Sequence, residues 1–214
     1  MNYNSQTWTE LSQTFAFLGN SLLAPMSQTE RHGVDPSFWR EFPNFKNKAV
    51  ATAISHCLAY AENKRAIMNE DDLVREISVE YTHLFVGPPH PSAAPWETFY
   101  RGESVSIGFG EATFEMQRLL REAGLQISND NNQYADHIGI ELLYLATLCE
   151  RASHGEQSST DIATFTSEHP LSWIGALEQC IYDECTDGYY QGVVKLAGAL
   201  LSMVAHDPRE HIDK

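Results

Sequence analysis

The sequence predicts an all-α protein, a compact bundle of about eight to ten helices with a proline-rich hinge loop. Apolar residues recur at helical spacing through most of the 214 residues. No alternating strand is bounded by hairpin signals, and Ser104 to Phe109 is the nearest candidate. With 43% hydrophobic residues, the chain can build a core without metal or disulfide staples. We expect one all-helical domain over residues 1–214, or two subdomains hinged at residues 86–95.

The helices follow from apolar residues three or four positions apart, and their ends follow from capping residues and helix breakers. This spacing predicts helices around 8–22, 50–61, 73–84, 116–123, 138–149, 171–181 and 193–204, and a short turn over 36–43. Pro25 ends the first helix, and Asn69 is expected to cap the helix over 73–84. Gly124 closes a later helix, and Gly188 separates the last two. We expect the helix over 138–149 to be capped near Asn132.

Charge and composition exclude several classes of protein. The chain has 14 Lys and Arg against 29 Asp and Glu, and a net charge of −15. Such a surface repels a phosphate backbone, so we expect no nucleic-acid partner and a cationic one instead. The N-terminal segment has no basic region of a secretory signal, and no apolar run approaches the roughly 18 residues needed to cross a bilayer. We therefore expect a cytoplasmic protein without a membrane span.

Catalytic and metal-binding motifs are missing from the sequence. It contains no HExxH, GxSxG, P-loop or GxGxxG motif, its four cysteines form no CxxC pair, and its histidines do not cluster. The adjacent Asp136 and His137 could in principle serve acid–base chemistry or hold a metal, but neighbours on a helix point about 100° apart. A metal-dependent hydrolase is thus the enzymatic alternative. We predict no cofactor, no metal and no enzyme activity.

The most informative stretch has aromatic residues on both sides of a proline-rich loop. Residues 80–88 read EYTHLFVGP, and residues 95–100 read PWETFY. Five aromatic rings around one loop suit the binding of an extended or helical apolar peptide. An aromatic core beneath a surface loop explains the same residues equally well.

These two motifs resemble the signature of the redox-enzyme maturation chaperones, typified by the trimethylamine-oxide and dimethyl-sulfoxide reductase chaperones. The sequences DHIG at residues 136–139 and HPLSW at residues 169–173 are similar to two further family segments. The resemblance implies a cytoplasmic, non-enzymatic chaperone. It would bind the twin-arginine signal peptide and the apo form of a molybdoenzyme catalytic subunit, assist cofactor insertion and delay export.

The resemblance also implies roles for individual residues. One wall of a leader groove corresponds to Tyr81, Leu84 and Phe85, and the second wall corresponds to Pro95, Trp96 and Tyr100. A polar pair beside the groove corresponds to Asp136 and His137. Gly87 and Pro88 are expected to shape the loop. Thr98 stands where the family more commonly has Ser, and Leu171 precedes Ser172 and Trp173 where a Pro-Trp is common. These departures leave the client open.

An arginine pair beside an apolar segment needs carboxylates next to an apolar groove. Asp136, Glu80 or Glu97 could supply them. Asp136 could instead favour a helix N-terminus, and Glu80 could be a structural acceptor that ties down the loop. A helical scaffold or regulator that binds an unrelated peptide is the other alternative function. The chain is expected to be a monomer or a domain-swapped dimer.

Overall fold

A computed structural model describes residues 3–101, 109–127 and 133–206 of the chain. This part contains ten α-helices and one isolated bridge but no strand, which confirms the all-α prediction. The helices are α1 (Ser5–Leu23), α2 (Pro36–Glu41), α3 (Lys48–Arg65), α4 (Glu70–Tyr81), α5 (Thr98–Arg101), α6 (Glu111–Glu122), α7 (Ile138–Ser153), α8 (Ser159–Glu168), α9 (Pro170–Glu184) and α10 (Tyr189–Ala205). Residues 104–108 of the candidate strand lie outside the described ranges.

Most predicted helix ends agree with the structure. The Asn69 side chain accepts a hydrogen bond of 2.9 Å from the Asp72 N–H, so it caps α4. Gly124 follows α6 with a φ of 71°, a conformation that favours glycine. The predicted cap near Asn132 is wrong, because the side chain of His137 caps α7. Asn132 itself lies outside the described residues.

The core is one contiguous cluster of buried side chains, in which α1 packs closely against α7. At the closest approach, a Cβ atom on Gly19 would lie 2.8 Å from the Gly139 carbonyl oxygen, and the reverse contact is also 2.8 Å. Only glycine permits this separation. The last helix, α10, packs against α3, α8 and α9. In the described ranges, no helix is long and apolar enough to cross a membrane.

The proline-rich segment folds back onto the end of α4. A π-helical turn, Thr82–Val86, extends that helix and ends at Gly87, which has a φ of 91°. A Cβ atom on Gly87 would lie 2.6 Å from the His90 carbonyl oxygen. The Pro88–Pro89 peptide bond is cis, and the Ala93 N–H donates to the Leu84 carbonyl over 2.8 Å. The hinge expected at residues 86–95 stays a prediction.

Candidate functional site

The structure brings three of the motif segments into one junction. Trp96 and His137 form the antiparallel bridge, and the Glu97 N–H donates to the Asp136 carbonyl over 3.0 Å. The Ile138 N–H donates to the Pro95 carbonyl over 2.9 Å. Residues 95–97 and 136–138 are therefore held side by side by backbone hydrogen bonds.

Asp136 is fully buried at the centre of this junction. Its Oδ2 accepts from the Thr98 N–H at the start of α5 over 3.0 Å, and its Oδ1 accepts from the Thr113 hydroxyl over 2.9 Å. The Thr113 hydroxyl in turn accepts from the Gly110 N–H at the start of α6 over 3.2 Å. Asp136 thus stabilises the N-termini of α5 and α6, in line with the alternative that it favours a helix N-terminus. It does not cap α7, the helix that follows it in the sequence.

His137 is also fully buried. Its Nδ1 accepts from the Gly139 N–H over 3.0 Å, which requires an unprotonated Nδ1. Burial lowers the pKa of His137 from 6.5 to about 3, so the ring is neutral at physiological pH. In the described part of the chain its Nε2 has no hydrogen-bond partner. The ring is therefore a helix cap in this conformation, and it does not face solvent.

A second carboxylate of the motif, Glu97, is fully buried in a charged cluster. Its Oε2 lies 3.0 Å from the His169 Nδ1. Its Oε1 lies 2.7 Å from the Arg101 Nε, as an ion pair rather than an aligned hydrogen bond. Arg101 also pairs with Glu115 over 2.9 Å and donates to the Glu168 carbonyl. Both oxygens of Glu97 are therefore already engaged by Arg101 and His169 of the same chain.

Glu141 on α7, which the sequence analysis missed, completes this cluster. Its Oε2 accepts from the Trp173 Nε1–H over 3.1 Å. Full burial and the neighbouring Glu97 carboxylate raise the pKa of Glu141 well above its ordinary value. A protonated Glu141 can donate its O–H toward Glu97. This hydrogen bond gives a partner to the Oε1 of Glu141, which otherwise has none among the described residues. Trp173 in turn stacks on Tyr100, with ring centroids 5.2 Å apart.

Glu80 is a structural acceptor, but it does not hold the proline-rich loop. Its carboxylate accepts from the N–H groups of Tyr189 and Tyr190 over 3.1 and 2.9 Å. These are the first two residues of α10, so Glu80 caps that helix from a distant segment. Burial raises the pKa of Glu80, whereas the two backbone hydrogen bonds lower it.

The first predicted groove wall lies in the core. Tyr81, Leu84 and Phe85 are all buried. The rings of Tyr81 and Phe85 contact each other and that of Tyr190, with centroids 5.1 to 5.5 Å apart. Pro95 is buried as well. In this conformation these four side chains support the junction from within and do not line a surface groove.

The exposed part of the site is an aromatic patch on the other side of the junction. We define the patch as a series of five rings in which the centroids of neighbouring rings lie 4.9 to 6.2 Å apart. In order of contact they are Phe99, Trp96, Tyr134, Phe109 and Phe114. Phe114 is 57% exposed and Phe109 is 44% exposed, while Trp96 and Phe99 are partly buried. The sequence predicts only Trp96 as a contact residue. Phe114 was missed because α6 carries it on the face opposite its apolar stripe, where a single residue gives no periodic signal. Phe99 was predicted only as one of the rings around the loop.

The described ranges contain no group of three or more His, Cys, Asp or Glu side chains arranged to hold a metal ion. Asp136 and His137 do not converge on a common point either, because the carboxylate serves α5 and α6 while the imidazole serves α7.

Comparisons with known proteins agree with the motif resemblance. The family model described as nitrate reductase delta subunit matches residues 46–179. A chaperone protein TorD from Shewanella pealeana is 26% identical over 137 residues, which cover 61% of this chain and 60% of that protein. A TorD from Vibrio vulnificus is 26% identical over 159 residues, which cover 71% of each chain. A Tat proofreading chaperone DmsD from Salmonella paratyphi A is 26% identical over 137 residues and 64% of each chain.

A crystal structure from Archaeoglobus fulgidus, described as a candidate redox enzyme maturation protein, aligns with 96% of this chain at a TM-score of 0.49 and 16% identity. The curated relatives are named as chaperones and not as enzymes, in agreement with the non-enzymatic prediction. The family model covers more than half of the chain, including the motif segments around residues 80–100 and 136–139. The chain belongs to the nitrate reductase delta subunit family, and this confirms the resemblance to the redox-enzyme maturation chaperones.

Proposed function

We propose that this protein is a cytoplasmic chaperone that binds the twin-arginine leader of a molybdenum-cofactor oxidoreductase subunit. It would hold the apo subunit during cofactor insertion and delay export until maturation is complete. The names of the curated relatives, which include a Tat proofreading chaperone, support this proposal.

The observation that carries the proposal is the aromatic patch. A twin-arginine leader has an apolar segment next to two cations, and large exposed rings in contact with one another suit the apolar part. The patch includes two aromatic residues of the motif, Phe99 and Trp96, of which the sequence predicts Trp96 as an anchor. The buried residues of the junction fix its position, because Asp136 ties α5 to the start of α6.

The charge around the patch suits the cationic part of a leader. Glu111 is exposed and lies three residues before Phe114 on α6, so both side chains lie on one helix face. The buried Asp136 and Glu97 are engaged within the protein, so we assign the arginine contacts to exposed carboxylates such as Glu111. The net charge of −15 adds long-range attraction for a cationic peptide.

The test is titration of the purified protein with a synthetic leader from a neighbouring molybdoenzyme gene, followed by calorimetry. Phe114→Ser should weaken binding about tenfold or more, since loss of an interface anchor commonly costs about 2 kcal/mol. It should barely change stability, because the ring is 57% exposed. Tyr182→Ser is the matched control, since Tyr182 on α9 is 50% exposed and lies outside the patch.

Three outcomes would contradict the proposal. The absence of binding by any neighbouring leader would favour the scaffold or regulator alternative. Equal affinities for the native leader and for one with its arginine pair replaced by glutamines would remove the twin-arginine specificity. Equal losses in the Phe114→Ser and Tyr182→Ser proteins would leave leader binding in place but move it away from the patch.

A further inference from the structure

A groove between α1 and α2 has the properties of a second peptide-binding site. It is a cleft of about 400 Å³, and it shares no residue with the aromatic patch. Phe17, Phe38 and Phe42 form its floor, and Glu10, Gln13 and Glu41 stand along its rim. A neighbouring cleft of about 370 Å³ also borders on Phe17 and includes Glu30, so the groove continues along α1.

The floor of the groove is aromatic and only partly covered. The ring centroids of Phe17 and Phe38 are 4.7 Å apart, and Phe42 lies 5.8 and 5.4 Å from them. Phe17 and Phe38 are partly exposed, whereas Trp39 beneath them is almost fully buried. The buried Trp39 fixes the floor, because its Nε1–H donates to the Gly33 carbonyl over 2.9 Å. The floor is thus an apolar surface in which Phe17 and Phe38 are partly exposed, while Phe42 is 9% exposed. The ring of Phe38 also stacks on His32, with centroids 5.6 Å apart.

The rim carries negative charge that the protein does not neutralise. Within the described ranges, the Glu10 side chain accepts a hydrogen bond from the neutral Gln6 over 3.0 Å and forms no ion pair. Glu41 has no ion pair within the described ranges, although its neighbour Arg40 pairs with Glu62 on α3. Unpaired carboxylates on both sides of an aromatic floor attract a cation and offer it both ion pairing and a ring face.

We propose that this groove binds a short peptide segment of the client in which apolar side chains are flanked by Arg or Lys. The apolar side chains would lie on Phe17, Phe38 and Phe42, and the cations would pair with Glu10 and Glu41. This site is separate from the leader site proposed above. A chaperone with both could hold its client at two places, which raises the effective concentration of the second contact once the first has formed.

The experiment uses a defined probe, a peptide with three leucines between two arginines and Gly-Ser ends. Calorimetry measures its affinity for the wild-type protein and for two groove variants. We expect Phe38→Ser to weaken binding at least about tenfold, and Glu41→Gln to weaken it about three- to tenfold. Glu156→Gln is the matched control, because Glu156 is an exposed carboxylate outside the groove. Replacing the probe's arginines by glutamines, or its leucines by serines, should each remove most of the binding.

A photo-reactive version of the probe is applied to the wild-type protein. The test therefore does not depend on whether Phe38→Ser folds. Crosslinks should map to residues 10–17 and 38–43. The proposal is wrong if the probe does not bind, if Glu41→Gln binds as the wild type does, or if the crosslinks map to the aromatic patch. Titrations of leader and probe on the groove variants and on Phe114→Ser keep the two proposals apart. The groove variants should weaken the probe more than the leader, and Phe114→Ser should weaken the leader more than the probe.

Discussion

For Asp136, the chemistry of the side chain and the direction in which it points lead to different conclusions about its role. The carboxylate suits an arginine ligand, but it points into the protein. A carboxylate next to an aromatic motif suits an arginine ligand, and its position beside Trp96 is the expected one. Yet both of its oxygens already accept hydrogen bonds from Thr98 and Thr113, and the side chain is fully buried. To reach a leader arginine it would have to abandon these contacts, and two helix starts would lose their acceptor.

We therefore expect Asp136→Asn to lower stability more than leader affinity. The amide keeps one acceptor oxygen, loses the charge and brings an NH₂ group toward a donor. The free energy of unfolding should fall by about 1–3 kcal/mol, the range for charge-assisted hydrogen bonds. Urea unfolding and leader calorimetry on the same protein measure the two effects.

Asp187→Asn is the control for this substitution, because Asp187 is exposed and forms no hydrogen bond or ion pair in the described structure. Its stability should stay within about 0.5 kcal/mol of the wild type. A folded Asp136→Asn protein of unchanged stability that has lost its preference for an arginine pair would show that Asp136 contacts the leader after all.

At the scale of the helices, Glu80 and Gly188 together form the N-terminal cap of α10. Gly188 is the N-cap of α10, and a Cβ atom there would lie 2.3 Å from the Glu80 Oε1 and 2.9 Å from the Cys185 Sγ. The Glu80 carboxylate could move away, but it would then lose its hydrogen bonds to Tyr189 and Tyr190. The absence of a side chain at position 188 thus allows a carboxylate from α4 to cap a helix that begins 109 residues later.

This arrangement predicts opposite effects for two glycine substitutions. Gly188→Ala should lower the free energy of unfolding by about 1–3 kcal/mol, because it displaces the cap. Gly175→Ala should raise it by about 0.5–1 kcal/mol, because this exposed position within α9 has no atom within 4 Å of the added Cβ. Thermal and urea unfolding of both proteins check the signs. A Gly188→Ala protein as stable as Gly175→Ala would remove the cap argument.

The sequence predicts those helix ends that depend on local residues and fails where the partner is distant. Asn69 caps α4 three residues away, so its role follows from spacing alone. The helix α8 was missed, because its buried face is a short one, of Ile162, Phe165 and Thr166. The cap at His137 was missed because histidine is not among the preferred N-cap residues, and the one at Glu80 because nothing local connects it to α10.

For the whole molecule, residue type indicated where the candidate site lies, and folding decided which of its residues face solvent. The motif segments do meet, and Trp96 lies in an aromatic patch as the peptide-binding interpretation expects. Tyr81 and Phe85 form the aromatic core that was the alternative interpretation. The aromatic-core interpretation therefore holds for Tyr81 and Phe85, whereas peptide binding through Trp96 stays a prediction. The sequence alone does not show which residues of the motif are buried.

The buried titratable groups also determine how the stability of the whole protein depends on pH. His137 has a folded-state pKa of about 3, below its ordinary 6.5. Its neutral form therefore contributes stability that is present above pH 6.5 and is lost as the pH falls toward 3. Glu141 has a folded-state pKa raised well above 4.5, so its contribution is present below pH 4.5 and is lost as the pH rises toward the folded value. Glu80 acts in the same direction as Glu141.

As the pH rises from 4.5 to 6.5, the contribution of His137 opposes those of Glu141 and Glu80. Below pH 4.5 only the contribution of His137 still changes, so we expect the free energy of unfolding to fall there. Each group changes the slope by at most about 1.4 kcal/mol per pH unit. Glu141→Gln should lessen the loss of stability as the pH rises above 4.5, because the amide is neutral and still accepts from Trp173. His137→Asn should flatten the fall below pH 4.5, because Asn is a good N-cap without a titrating ring. Urea unfolding at each pH unit from 3 to 9 measures all three proteins. If the slope of Glu141→Gln above pH 4.5 matches that of the wild type, the native protein does not favour the protonated form of Glu141 and this argument is wrong.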